Sequence, residues 1–537
     1  NLTLIAGYNY EAKYYRDLTA ANDGLLSEDL SDFNLAKGTT NFTLNGGRNE
    51  YAIMGWFYRA AYDYKGKYLA EVNGRYDGTS RFPRGKRYGF FPSFSAAYRI
   101  SEEAFFEPLR KTVDNLKIRL SYGSLGNQQI GYYDFIQTIT TKGSMGDYSF
   151  DGTILGQHAT VSDPVSGNQT WEKVISKNLG ADLNMFSNRL SLTADFYIRD
   201  TKGILGKGKS LPSIYGANEP QVNSNNLRTK GYELVLGWRD SFKLAGSTFS
   251  YGITGTFSDY TAEYTKCDNP SGLIGGPYVG KKYGEIWGYK VDGLFRNDEE
   301  AAEYASRVDL SKVAAGYYSA TGAYGKGVRG GDIKYLDLDG SGIVDGGKGT
   351  LEDPGDRRVI GNSSPRYQYG LTLNLSWYGF DLSVFMQGIG RLDWYPGADN
   401  LRFWGPYSRP YATFIPKNFM SQVWSESNPD AYLPRARAYT SLNSTQGTAY
   451  YTNDRYLQNL AYCRLKNLTL GYTIPKRLTS KVGIKECRVY FSGENLATWS
   501  ALKNDFLDPE QAAADSDKKS NVYPWCRTYS VGLNLTF

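Results

Sequence analysis

The sequence predicts an all-β chain folded as a transmembrane antiparallel β-barrel, and three observations carry that prediction. Stretches in which apolar and polar residues alternate recur from one end of the 537 residues to the other, and a period of two belongs to strands. Tight turns alternate with long connections, the hairpin layout of barrels set in a bacterial outer membrane. The chain closes on Arg527–Phe537, where Tyr529, Val531, Leu533, Leu535 and Phe537 alternate with Ser530, Gly532, Asn534 and Thr536. A terminal strand of this kind frays unless it has a partner on both sides, and a closed barrel supplies both.

Composition agrees. No run approaches the ~18 consecutive apolar residues of a membrane helix, while barrel strands hide from hydropathy scales because their faces alternate. Tyrosine is in excess, 46 against 25 Phe and 10 Trp, which suits half-buried strands and interfacial girdles. A net charge of +6 over 537 residues makes no case for nucleic acid. The single histidine, His158, reads as a surface residue. Its isolation removes Ser-His, Cys-His and multi-histidine metal chemistry. Cys267, Cys463, Cys487 and Cys526 are far apart and form no metal or redox spacing.

Taken in order, Asn1–Tyr8 is already alternating strand with no leader before it, so the chain reads as the carboxy-terminal portion of something longer. In Leu190–Arg199, Leu190, Leu192, Ala194, Phe196 and Ile198 lie opposite Ser191, Thr193, Asp195, Tyr197 and Arg199. Ser187-Asn188 is the turn before it. Tyr369–Trp377 and Phe380–Met386 repeat the pattern around the tight turn Tyr378-Gly379, and Leu468, Leu470, Tyr472 and Ile474 carry it further. The polar faces hold Lys117, Arg119, Asp195, Arg199 and Asp381, which suits a wet lumen better than a packed core. Strands of ~10 residues leave room for about 16 to 18 of them. Long loops are expected near 260–365 and 391–455. In the second, Trp394, Tyr395, Phe403, Trp404, Tyr407, Tyr411 and Phe414 gather among Gly and Pro. Such aromatics either present themselves to a ligand or partner or pack the loop's own core. Trp394, Tyr395, Phe403, Trp404 and Tyr407 are the candidate contacts.

Several phrases resemble one family. Arg75-Tyr-Asp-Gly-Thr-Ser-Arg-Phe82, Tyr88-Gly-Phe-Phe-Pro-Ser-Phe-Ser-Ala-Ala-Tyr-Arg-Ile-Ser-Glu102, Leu116–Asn127, Trp171-Glu172 leading into Asn188–Tyr197, Gly284–Phe295, Arg464–Pro475 and the tail Arg527–Phe537 are similar to the SusC/RagA group of TonB-dependent outer-membrane transporters, in the family's order. The resemblance implies a barrel of about 22 strands in the outer membrane of a Bacteroidetes-type bacterium, with the plug and TonB box upstream of Asn1. It also implies a SusD-like surface lipoprotein as lid, and import of oligosaccharides or, in some members, peptides through TonB. The terminal residues Tyr529, Val531, Leu533, Leu535 and Phe537 then become the membrane-insertion signal. Whether two barrel–lid units pair is left open.

One loop has metal-ligand spacing. Asp337, Asp339, Ser341 and Asp345 offer oxygen side chains, Ile343 a carbonyl, and Gly342 stands at the sharp turn of a calcium loop. Lys348 replaces the acid expected at position twelve, and Glu352, Asp353 or Asp356 could substitute. A structural Ca²⁺ is the only cofactor the sequence suggests, and none is required. Set against energised import, a passive porin or structural surface protein is the lesser reading. An enzyme is not expected, for want of a nucleophile motif.

Overall fold

The computed structural model describes every residue except 26, 28, 30–31, 143–148, 151–152, 155–157, 210, 319–326, 410, 412, 414, 438–441, 443–446, 505, 515–522 and 524. Phe414 and the side chain of His158 therefore lie outside the described residues. Alternation becomes one 14-stranded sheet in which each strand neighbours the next along the chain. Numbered along that meander, the strands are β1 (Leu2–Ala21), β2 (Thr43–Tyr64), β3 (Tyr68–Thr79), β4 (Tyr88–Arg99), β5 (Val113–Asn127), β6 (Glu172–Met185), β7 (Leu190–Lys207), β8 (Gln221–Leu244), β9 (Ser247–Lys266), β10 (Arg366–Trp377), β11 (Phe380–Arg391), β12 (Tyr462–Thr473), β13 (Glu486–Ser500) and β14 (Thr528–Thr536). The sheet holds fewer strands than the 16 to 18 expected because its strands are longer than ~10 residues. β8 alone runs for 24 residues.

Register keeps the two faces apart across the sheet. Tyr251, Leu375, Leu382, Leu470, Phe491 and Val531 stand opposite one another in turn on β9 to β14. So do Gly252, Asn374, Ser383, Thr469, Ser492 and Ser530 on the other face. Shifting any one strand by a residue would put its leucines among the serines, so this register is strongly specified.

The turns enforce it. Tyr378-Gly379 joins β10 to β11 with φ of 50° and 82°, closing on the pair Trp377–Phe380. Ala245-Gly246 does the same for β8 and β9 with 49° and 86°. Both residues lie in the left-handed region, as a two-residue turn matched to strand twist requires. The turn between β6 and β7 places Phe186, Ser187 and Asn188 all at positive φ. The other ends of the strands carry the longer connections, 267–365 and 392–461 the largest.

Contacts divide the chain into two units. The first comprises Asn1–Tyr98, Arg119–Asn178 and Arg199–Leu227; the second comprises Arg99–Ile118, Leu179–Ile198 and Arg228–Phe537. Each has its own buried apolar cluster. In the first, Phe82, Phe91 and Trp171 pack with Ile130. In the second, a far larger cluster gathers residues between Tyr289 and Ala512, nearly all from the long connections. Helix α1 (Asp298–Arg307) tucks Ala301 into that cluster and is capped by Asn297, whose side chain accepts from the Glu300 N–H at 2.9 Å.

Candidate functional site

The aromatic loop builds an interior. A helical turn, Leu401–Trp404, is capped by Asn400, whose Oδ1 accepts from the Phe403 N–H at 3.0 Å. It drives Trp404 fully out of water against Tyr456, ring centroids 5.1 Å apart. Phe403 packs edge-on to Trp404 at 4.7 Å. Tyr407 donates to the Pro434 carbonyl at 2.5 Å and Tyr395 to that of Tyr451 at 3.1 Å. Trp394 lies in a two-stranded ladder opposite Gln458. All five candidate contacts, Trp394, Tyr395, Phe403, Trp404 and Tyr407, are thus buried. Burial pushes the Tyr395 and Tyr407 hydroxyls well above the usual tyrosine range. The reason is area, since aromatic rings of this size gain most by leaving water together. Of the two alternatives for this loop, the arrangement is that of a loop packing its own core.

What the loop layer leaves at the surface is different. Tyr411, Ile415 and Met420 are exposed at 82%, 59% and 70%. Beside them a small cleft is lined by Arg402, Phe403, Pro416, Phe419, Gln422, Tyr432, Lys503, Asn504 and Phe506. Lys503 stands 5.7 Å over the Tyr432 ring, and Asn504 donates to the Arg402 carbonyl at 3.2 Å. Phe403 is the one predicted contact that reaches this cleft. An aromatic wall with a few amide and cationic groups suits either a sugar or a peptide.

Below the loops, the polar face is ion-paired. Arg464, almost fully buried on β12, reaches Asp508 at 2.6 Å and Glu510 at 2.9 Å, and Lys466 joins Glu510 at 2.7 Å. These bonds fasten the connection after β13 to the sheet's polar face. Nearer the short turns, Asp381 pairs with Arg488 across Gly471, and Lys117 lies 3.9 Å from Asp182. Sequence reasoning placed Asp381 and Lys117 on this face, but the partners Arg488, Asp182, Asp508 and Glu510 come from other strands and connections, where no local signal points to them.

In the first unit, the phrases that carried the family resemblance converge on Trp171. Its indole donates to the Arg87 carbonyl at 2.9 Å, and its ring meets Phe82 at 5.5 Å and Phe91 at 5.2 Å. The Phe91 ring lies over Gly89 and Gly126, where a Cβ would come within 2.5 and 2.2 Å of it. That contact explains why both phrases carry glycine there. Arg81, from the first phrase, sits over the Tyr51 ring at 4.2 Å and the Tyr132 ring at 5.0 Å, and donates to the Ile130 carbonyl at 2.9 Å. The signature residues therefore hold the connections after β3 and β5 to the strands.

The acidic loop brings Asp337 and Asp339 together with Asp356, one carboxylate oxygen of each lying within 4.8 Å of the others. Asp356, one of three acids held in reserve for the missing position, is fully buried and accepts from the N–H groups of Leu338 and Asp345 at 2.6 and 2.9 Å. Burial, with the charge of Asp339 nearby, pushes its carboxyl above the usual range. Ser341 donates to the Ile343 carbonyl at 3.0 Å, and the Asp345 carboxylate accepts from Gly347 N–H at 2.7 Å. The all-oxygen donor set fits a hard cation such as Ca²⁺, whose charge would reverse the upward shift. Asp345 lies outside the trio of converging carboxylates.

The fold and faces define a class: a β-sheet protein built to stand in an outer membrane, with an apolar face for lipid and a polar face turned from it. The TonB dependent receptor-like β-barrel profile matches residues 1–496, and the chain belongs to that family. TonB-dependent receptor P3 of Formosa agariphila is 27% identical over 560 residues, covering 100% of this chain and 50% of the relative. TonB-dependent receptor SusC of Bacteroides thetaiotaomicron is 23% identical over 500 residues, covering 90% of this chain and 44% of the relative. The chain thus spans about half the length of the curated relatives it matches. Among solved structures, the RagAB peptide transporter is similar in fold, with a TM-score of 0.74 and 22% identity over all of this chain and 53% of that one.

Proposed function

We propose that the complete protein carrying this chain is a TonB-dependent importer of oligosaccharides across the outer membrane, working with a SusD-like lipoprotein lid. The observation that carries this reading is the pairing of an ion-paired polar face with a separately packed loop layer, whose surface offers an aromatic and cationic cleft around Phe403, Tyr432, Lys503 and Asn504. Family membership supports energised transport, and the name SusC of one relative is in keeping with a lid partner. TonB would act through a segment upstream of Asn1. The connections 267–365 and 392–461 would then face outward, as barrels of this kind carry their longer loops outside. Ca²⁺ held by Asp337, Asp339 and Asp356 would brace the first of them. The second reading is import of peptides by the same architecture, favoured by the fold likeness to a structure named as a peptide transporter.

Calorimetric titration of the purified complete complex, lid included, with a panel of oligosaccharides and peptides separates the two. Saturable heat with one glycan class supports the first reading, and heat with peptides alone replaces it with the second. Tyr529, Val531, Leu533 and Leu535 stand exposed on the apolar face of β14, with Phe537 just beyond it. We expect deletion of Phe537 to reduce outer-membrane insertion. Wild-type amounts of heat-modifiable protein in the deletion variant would remove the insertion role.

A further inference from the structure

A hairpin needs only two residues to turn, and the connections 245–246 and 378–379 spend no more. The connection between β12 and β13 is much longer, 474–485, although it leaves the strands at the same end as Tyr378-Gly379. It reads Ile-Pro-Lys-Arg-Leu-Thr-Ser-Lys-Val-Gly-Ile-Lys. A helical turn, Lys476–Thr479, runs into a 3-10 turn, Ser480–Val482, and Gly483 ends both in the left-handed region at φ 75°. The Ile484 N–H donates to the carbonyl of buried Thr479 at 3.1 Å, and the Lys485 N–H donates to that of Thr536 on β14 at 2.7 Å. The backbone is thus tied to itself and to the sheet, and its exposed side chains stand on an ordered base.

Two kinds of side chain are presented there. Leu478 and Val482 are 52% and 70% exposed. They lie four residues apart, the spacing that sets side chains on one side of a helical segment. Around them stand Lys476, Arg477, Lys481 and Lys485, all exposed. The carboxylates nearest in the chain and across its hydrogen bonds are Glu486, at the start of β13, and the terminus of Phe537, next to Thr536. Asp381 on β11 is held by Arg488. Among the described residues, no side chain is paired with any of the four cations. The other long connection at this end, 100–112, sets Glu102, Glu103 and Glu107 against Arg110 and Lys111 and carries no such excess.

Depth follows from the neighbouring strands. On the apolar face Phe380 of β11 stands opposite Tyr472 of β12, ring centroids 4.5 Å apart. Aromatic rows of this kind sit where the membrane meets water. Ile474 lies about 7 Å beyond Tyr472 along the chain, so the connection begins at the level of the headgroups. The end of a barrel that carries the short turns faces the periplasm, and the leaflet on that side is phospholipid.

We propose that the connection 474–485 is an interfacial anchor for anionic phospholipid in the periplasmic leaflet. Leu478 and Val482 enter the acyl boundary, and Lys476, Arg477, Lys481 and Lys485 meet the headgroup phosphates. The cationic excess favours a headgroup of net negative charge over a zwitterionic one. The anchor lies at the opposite end of the strands from the long connections and acts whatever the transported nutrient.

The test uses the complete protein in detergent. Phosphatidylglycerol and phosphatidylethanolamine with the same acyl chains are added in equal amounts, and retention is read by native mass spectrometry. Phosphatidylglycerol should be retained several-fold more. The variant Lys476→Gln/Arg477→Gln/Lys481→Gln/Lys485→Gln should lose that preference, whereas Lys65→Gln/Lys243→Gln, at two other short turns, should keep it. Equal retention of the two lipids by the wild type overturns the proposal, as does an unchanged preference in the fourfold variant or its loss in the control. Displacement of phosphatidylglycerol by an equal concentration of carboxylate-rich peptidoglycan fragments would overturn the assignment to lipid. Heat-modifiable migration shows that each variant is folded. If the fourfold variant does not fold, the wild type's preference should still vanish at high salt, and a preference indifferent to salt counts against the proposal.

Discussion

The two apolar clusters solve the same problem at different scales. Around Trp171, three rings fasten the short connection 80–87 and the ends of the longer connection 128–171 onto strands that are already paired, and the glycines beneath Phe91 let the layers touch. The loop layer of the second unit is a core in its own right, with Phe295, Leu310, Tyr335, Trp404, Tyr456 and Leu460 fully buried in one cluster. A connection of a few residues borrows stability from the sheet. One as long as 267–365 or 392–461 has to bury enough apolar area to offset its own ordering entropy. The aromatics so conspicuous in the sequence meet that requirement, and their neighbours Tyr411, Ile415 and Met420 are left exposed.

Four variants would break or sharpen this contrast. Arg437 and Asp332, both buried, pair at 2.5 Å within the loop layer, with the guanidinium 4.1 Å over the Tyr317 ring. Arg437→Met leaves the Asp332 charge unmatched and should destabilise the layer by about 3–5 kcal/mol. Limited proteolysis should then cut within 392–461 while the strands keep heat-modifiable migration; simultaneous loss of both would mean that layer and sheet are one cooperative unit. Trp171→Ala should cost about 3 kcal/mol, read as faster proteolysis of the connections after β3 and β5, with the 392–461 segment unaffected. Saturating Ca²⁺ at a hundredfold excess over Kd should stabilise the first long connection by about 2.7 kcal/mol. Asp356→Asn should abolish that gain, and a gain that survives in the variant would place the ion elsewhere. Smallest in stability is Tyr411→Ser with Met420→Ser, within about 0.5 kcal/mol of the parent. This pair should nevertheless weaken ligand or lid binding by calorimetry, whereas unchanged affinity would move the contact surface away from these residues.

Some of this was legible in the sequence. The strands from Tyr369 to Met386 and the turn Tyr378-Gly379 follow from period two and from turn chemistry, both written locally. The count of strands was overestimated because alternation marks where a strand exists, not how far it extends beyond the apolar band. The aromatic loop has no period, so nothing in its order of residues distinguishes rings facing inward from rings facing outward. Which of Glu352, Asp353 and Asp356 would turn toward Asp337 and Asp339 is settled only by folding, and Arg464 finds Asp508 and Glu510 only when the connection after β13 folds back. Tertiary contacts of this kind leave no trace in spacing.

The alternation of short turns with long connections has an evolutionary consequence. Register is set at one end of each hairpin, by left-handed residues such as Ala245-Gly246 and Tyr378-Gly379, so lengthening or replacing a connection at the other end leaves the strand pairing untouched. Recognition and membrane residence can therefore diverge separately. A lineage can exchange one self-packed connection for another without having to reinvent the wall that carries it.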